Sequence, residues 1–246
     1  MKALVLRLDA PLLSFGAPIV DQHGFTDRFP GTAMLTGLLG NALGWRHGDA
    51  DRLESLQARL RFAARWDVPP LPLVDYQTVD LGQPKMREPG WTTRGEPEHR
   101  AGGEAARFGT HQRWRHHWMD GLMTVVISLD GDGEPGLGGL EAALRRPARP
   151  LFLGRKACLP ARPLLDPATP VREGPGLHAI LESVPRWDRH GRAAASGDPM
   201  EACWPADGAE PPGARTVPVH DLREWATQLP AGSRERHEGL VGGSPR

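Results

Sequence analysis

Cysteine is almost missing from this 246-residue chain: Cys158 and Cys203 are the only two, and they lie far apart. They form neither a CxxC metal knuckle nor a disulfide framework, so the expected setting is reduced and cytoplasmic. An excess of either charge is missing as well. The 30 basic and 30 acidic residues cancel, so no global field draws in nucleic acid, and a polyanion site has to come from local clustering. No apolar run approaches the length of a membrane span. The opening stretch, Met1 to Asp9, is too short and too interrupted by charge for a signal peptide. A phosphate-loop signature, a GxSxG elbow and an HExxH helix are all lacking. Glycine and proline, by contrast, are abundant at 30 and 25 residues, a composition that makes much of the chain loop.

The periodicity changes several times along the chain. Ala3 to Leu8 alternates as a strand, with Leu4, Leu6 and Leu8 on one side and Arg7 on the other. Arg7 reads as a solvated residue, with a functional role as the alternative. Ala10 to Pro30 is loop-like, Arg28 to Trp45 is helical, and Asp51 to Leu60 is a second helix with an aspartate cap. "LRFAARWD" and "PLVDYQTVDL" follow as extended segments. Gly82 to Gly109 is polar and turn-rich, with Lys85, Arg87 and Arg107 among its cations and almost no aliphatic residues. It is expected to be a projecting arm or a disordered excursion. Leu122 to Leu129 is the clearest strand, Leu137 to Arg145 a short helix, and "RPLFLGRKACLPARPL" strand-like. The order of strand, helix, strand, arm, strand, helix, strand suits an α+β, ferredoxin-like domain over residues 1–166 with a long insertion at 82–109. Beyond Asp166 the pattern fades. Residues 167–246 read as a smaller irregular region with a mobile tail.

The helix in "RFPGTAMLTGLLGNALGW" holds three glycines, each costing about 1 kcal/mol relative to alanine. In projection Met34, Leu35, Leu38, Leu39, Ala42 and Leu43 form an apolar half. Gly37, Gly40 and Gly44 gather on the opposite side as a smooth seam that lets another backbone approach. Either a loop of the same chain or a partner surface can fill it. At the start of the helix Thr32 can act as a cap, and a phosphate could sit between the free amides and Arg28.

"THQRWRHHW", Thr110 to Trp118, is the most unusual composition, with two arginines, three histidines and two tryptophans. Cations interleaved with rings suit single-stranded nucleic acid, which makes His111, Arg113 and Arg115 candidate RNA contacts. Alternatively, Trp114 and Trp118 are the buried edge of a short helix and the arginines only keep the surface wet. The histidines His111, His116 and His117 lack a carboxylate or cysteine at ligand spacing, so no metal or other cofactor is expected. They also permit metal-independent RNA cleavage by general acid–base chemistry. In "FLGRKACLP", Arg155 and Lys156 follow Gly154 and suit a phosphate, or form an ordinary basic turn.

Five segments in order resemble the Cas-five family of the RAMP superfamily, whose type I-E CRISPR members are the CasD subunits of the Cascade complex. They are "LVLRLDAPLLSFGAP", "RFPGTAMLTGLLGNALG", "LRFAARWDVPPLPLVDYQTV", "RWRHHWMDG" and "RPARPLFLGRKACLPARPL", together spanning about residues 3 to 166. The resemblance implies a RAMP-type, ferredoxin-like domain with a thumb insertion that binds the 5′ handle of the crRNA. It implies contacts with the CasC backbone subunit and the large CasA subunit, target DNA being met only through the assembled complex, with no membrane. It also implies that this subunit is not the nuclease; precursor-crRNA cleavage is the alternative. Arg28, Thr32, Arg115, Arg155 and Lys156 carry over as RNA contacts. The glycine seam and the arm cations Lys85, Arg87 and Arg107 are expected at partner interfaces. The sequence departs from the family pattern at Gly31-Thr32-Ala33, where a cation is lost, at His116, His117 and Trp118, which replace two tyrosines and a leucine, and at Gln77, which replaces a histidine.

Overall fold

The computed structural model describes residues 1–80, 110–194, 198–207 and 212–242. Its strands are β1 (Lys2–Asp9), β2 (Leu12–Leu13), β3 (Ile19–Val20), β4 (His23–Gly24), β5 (Leu60–Val68), β6 (Leu71–Asp80), β7 (Thr110–Met119) and β8 (Leu122–Leu129). They continue with β9 (Val171–Glu173), β10 (Met200–Pro205), β11 (Arg215–Val219), β12 (Arg223–Glu224), β13 (Leu229–Pro230) and β14 (Arg234–Val241). The helices are α1 (Thr32–Ala42), α2 (Ala50–Arg59), α3 (Leu137–Arg145) and α4 (Leu177–Ser183). The result is a mixed α and β architecture with several antiparallel sheets. The main sheet runs β11-β14-β10-β5-β8-β1-β9, with every neighbouring pair antiparallel.

Alternation along β1 gives the main sheet two buried faces. Leu4, Leu6 and Leu8 join Phe62, Trp66, Val125 and Ile127 in a core that is closed by Leu35 and Leu39 of α1 and Leu140 and Leu144 of α3. On the other face Ala3, Val5, Ala63 and Val126 pack under Leu177, Ile180 and Leu181 of α4, with Trp204 and Val241 beside them. That second cover comes wholly from residues beyond 166. The expectation of an irregular C-terminal region is therefore corrected: β10, β11 and β14 extend the main sheet through β5, and α4 seals its second face. Repeated Gly and Pro hide these short strands from a periodicity count.

The same cover explains why Arg7 is 1% exposed rather than solvated. Arg7, Thr124 and Arg65 form one row across β1, β8 and β5. Arg7 donates from Nε to Asp166 and from Nη1 to Asp67, both at 2.9 Å, and from Nη2 to the Pro185 carbonyl at 2.9 Å. Arg65 donates to the other Asp67 oxygen at 2.8 Å and to the carbonyls of Leu181 and Val184. Asp67 also accepts from Thr124 Oγ1 and from the Trp187 amide, each at 2.8 Å. Two guanidinium groups thus meet two carboxylates with their remaining donors and acceptors filled, the condition under which buried charge is tolerable.

Four further expectations change. The segment 151–165 is turn and bend, not strand; only Leu165 bridges to Leu6, and the pairing position beside β1 is taken by β9. The cap of α2 is Asp49, two residues before its first-turn Asp51, and the cap of α1 is Gly31, with Thr32 its first helical residue. Trp114 and Trp118 lie on β7, where a spacing of four also keeps both on one face. The projecting arm at 82–109 and the end of the tail lie outside the described residues, although Gly239 belongs to β14.

Removing the Arg7 guanidinium leaves two buried carboxylates short of their cation, so Arg7→Ala is expected to cost about 3–5 kcal/mol in urea unfolding. Burial opposes the Asp166 charge, but the Thr169 amide and Arg7 outweigh it and lower its pKa from 3.8. A lowered carboxylate stabilises the fold above its unfolded pKa and ceases to do so as pH falls through the folded one. Asp166→Asn should accordingly flatten the decline in stability at pH values below about 4.

Candidate nucleic-acid interface

The second sheet is built on continuations of the first. After β5 the chain turns through Pro69 and Pro70 into β6, and β7 returns through Asp120, at φ 55°, into β8. Strands β6 and β7 pair antiparallel along their whole length, and β2 and β4 line the other edge of β7. Alternation then divides the side chains of β7 between two faces.

One face is cationic. His111, Arg113, Arg115 and His117 share it, opposite Val79, Gln77, Asp75 and Leu73 of β6. The turn at 154–156 brings in Arg155 beneath them. Arg155 donates from Nη1 to the His116 carbonyl at 2.7 Å and from Nη2 to the Gly24 carbonyl at 2.7 Å, so it clamps β7 to β4. Gly154 makes that approach possible. It sits at φ +102°, and a Cβ there would lie 1.5 Å from the Ser14 carbonyl oxygen. Arg113 and Arg115 remain exposed, as does Lys156 in the turn, and Asp75 faces Arg115 in register.

His117 lies against this clamp. Its Nδ1 is 3.0 Å from the Arg115 carbonyl and its Nε2 is 3.4 Å from Arg155 Nη1. Burial, and then the Arg155 charge, lower its pKa from 6.5. The neutral ring fits both contacts if Nδ1–H donates to the carbonyl and Nε2 accepts from the guanidinium. Burial, and then the Arg115 charge, lower the Arg155 pKa as well.

The opposite face is aromatic. Tyr76 meets Trp114 with centroids 5.0 Å apart, Trp114 stacks on His23 at 4.9 Å, and Phe25 packs on His116 at 4.7 Å. Tyr76 is 52% exposed and Phe25 39%. Rings of this kind left half open to water offer π-faces to planar ligands. His116 adds a buried Nε2 that has no hydrogen-bond partner among the described residues.

A family model described as "CRISPR-associated protein (Cas_Cas5)" matches residues 3–237. The chain belongs to the Cas5 family. It is 33% identical over 169 residues to the CRISPR system Cascade subunit CasD of Escherichia coli (strain K12), a match covering 65% of this chain and 68% of that one. A solved structure titled "CRISPR RNA-guided surveillance complex" contains a chain with the same fold, at TM-score 0.68 and 23% identity, covering 98% of this chain and 90% of that one. A second, "Crystal structure of Cas protein", aligns at TM-score 0.61 and 22% identity over 99% of this chain and 100% of the other. The Cas5 match extends well past residue 166, in keeping with the shared sheet.

Of the residues singled out from sequence, this Cas5 chain brings His111, Arg113, Arg115 and Arg155 to one face, with Lys156 next to Arg155. Arg28 and Thr32 lie apart from them. Arg28 is ion-paired with Glu201, donating from Nε at 2.6 Å, and lies over the Trp118 ring at 4.9 Å. The anion at the α1 N-terminus is the protein's own: Asp221 accepts from the Thr32 amide at 2.8 Å and from its hydroxyl at 3.1 Å, while Arg234 pairs with the same carboxylate at 2.7 Å. The glycine seam meets its own chain too. A Cβ on Gly40 would stand 2.6 Å from Leu53 of α2, one on Gly37 3.5 Å from Trp225, and one on Gly44, at φ +81° beyond the helix end, 3.0 Å from Ala148. Lys85, Arg87 and Arg107 lie outside the described residues.

His23, Phe25 and Tyr76 are missing from the sequence-derived set. Laying 71–80 against 110–119 in antiparallel register would have found Tyr76 opposite Trp114. Nothing local marks His23 and Phe25, which reach the row through the β4 pairing with β7. Both cysteines are buried free thiols, and burial pushes Cys203 up to about 12, so neither is poised as a nucleophile.

Arg155→Ala should strand the His116 and Gly24 carbonyls and destabilise the protein by roughly 2–3 kcal/mol. Thermal melts followed by tryptophan fluorescence would detect this, with Trp114 losing its His23 neighbour as β4 comes away.

Proposed function

We propose that the protein is a non-catalytic, crRNA-binding subunit of a type I-E Cascade complex. In this reading it holds the 5′ handle of the crRNA and joins the CasC backbone subunit to the large CasA subunit, meeting target DNA only within the assembly, in the cytoplasm. The observation that carries it is the division of the second sheet. Exposed Arg113 and Arg115, braced by Arg155, give phosphates a cationic surface. The Tyr76–Trp114–His23 row gives unpaired bases a stacking surface. Likeness to CasD supports the assembly, and the neutral overall charge makes this local cluster the source of RNA affinity. In the same reading the run β9-β1-β8-β5 is a ferredoxin-like sheet of the RAMP type, supported by its order and by helices α1 to α3 on one side.

The alternative, metal-independent cleavage of precursor crRNA, needs an acid and a base within reach of one 2′-hydroxyl. His111 and His117 share a face but stand six residues apart on a strand, about 20 Å. His116 points to the other face, among the rings. That spacing favours binding over chemistry.

Titrating a synthetic handle RNA against the purified chain over a salt series tests the proposal. Each phosphate-neutralising cation should contribute about 0.7 to the slope of log K against log salt for a single strand. The Arg113→Ala, Arg115→Ala double variant is expected to lower the slope by about twice that amount, and Trp114→Ala to weaken binding by about 1–3 kcal/mol with the slope unchanged. Wild-type affinity and slope in both variants would favour a purely structural subunit.

A further inference from the structure

Where α1 ends and the chain turns toward α2, the surface opens into a groove of about 330 Å³. Trp45 and Trp225 wall it, Gly37 and Gly40 keep its floor low, and Arg46, His47 and Arg149 stand around it. Among the described residues no carboxylate lines it. Arg149 is fixed in place, its Nε donating to Asn41 Oδ1 at 2.8 Å and its Nη2 to the Trp45 carbonyl. Both acceptors are neutral, so the hydrogen bonds orient the guanidinium without cancelling its charge. Arg46 and His47 are exposed above it.

We infer that this groove docks a carboxylate-bearing segment of a partner protein, an acidic side chain meeting Arg149 and Arg46 while an apolar neighbour enters between the indoles. Positive charge beside an aromatic wall is the complement of such a segment. A polyanion suits it less well. The adjoining hollow over residues 48–52 carries Asp49 and Asp51 beside a single cation, Arg52, and Glu54 accepts from the Trp225 amide. The helix end at this site also presents the negative pole of α1. A nucleic-acid strand running across would meet that negative charge, whereas a single inserted carboxylate avoids it. The glycines of α1 thus serve both packing and access: Gly40 admits Leu53 from within the chain, and Gly37 leaves the slot deep. The inference rests on the proposal that this chain works inside a larger complex.

The test uses the complex purified after co-expression with the neighbouring operon products, its composition read by native mass spectrometry across a salt series. Arg46→Glu with His47→Glu is the primary variant, because neither side chain makes a hydrogen bond or ion pair in the described structure. Arg149→Glu is the second. One protein subunit is expected to dissociate at a salt concentration about twofold or more below the wild-type value, with the crRNA retained. Wild-type composition throughout the series in both variants would overturn the inference. So would loss of crRNA with every protein subunit still bound, which would make the groove an RNA surface. A wild-type complex that carries no RNA would instead sink the proposed function and leave the subunit comparison readable.

Discussion

Four buried charges hold this protein together. Arg7 and Arg65 face Asp67 and Asp166 between the main sheet and the residues that cover its second face. Charge so deeply buried is tolerated only when every partner is present, because an unmatched ion in the interior costs several kcal/mol. The consequence is architectural. Asp67 closes β5, Asp166 follows the long turn after α3, and the Pro185 and Val184 carbonyls follow α4. The N-terminal strand therefore cannot complete its own surroundings without the C-terminal third of the chain, and the two sequence regions fold as one unit.

That anchoring has a bearing on the second sheet. Its hairpin leaves the main sheet at Asp67 and Val68, immediately beside the network, where Arg186 also donates to the Asp67 carbonyl at 2.6 Å. The strands that carry the cations and rings are thus rooted beside the buried network, and Arg155 ties β7 to β4. Binding groups on rigid elements need less ordering when a ligand arrives. The division of β7 into a cationic and an aromatic face follows from strand alternation alone, once the strand is held in place.

Much of this was legible in the sequence, and the failures share one cause. Leu4, Leu6 and Leu8, the run Leu122 to Leu129 and the helix from Leu137 declare themselves through local periodicity. Family likeness was carried by "FLGRKACLP" and its companions, and the grouping of Arg113 with Arg115 needed only strand alternation, whereas Arg155 joins them from the turn at 154–156. Arg7 was misread because the cover that buries it lies some 160 residues away. Arg28 and Thr32 have partners that local sequence does not show for the same reason: Glu201 and Asp221 belong to a region whose own pattern is broken by Gly and Pro. A local signal reports which charges exist; only the fold reports which are already spent on one another. The cations of β7 stand exposed, whereas the first amide of α1 already meets Asp221.

The measurement closest to the central claim is site mapping by photocrosslinking. Handle RNA carrying photoreactive bases, bound within the purified complex, would be irradiated and the attached peptides identified by mass spectrometry. The account predicts crosslinks on β7 and its aromatic neighbours, centred on Trp114 and Tyr76. Crosslinks confined to the start of α1 around Thr32, with none on β7, would contradict it.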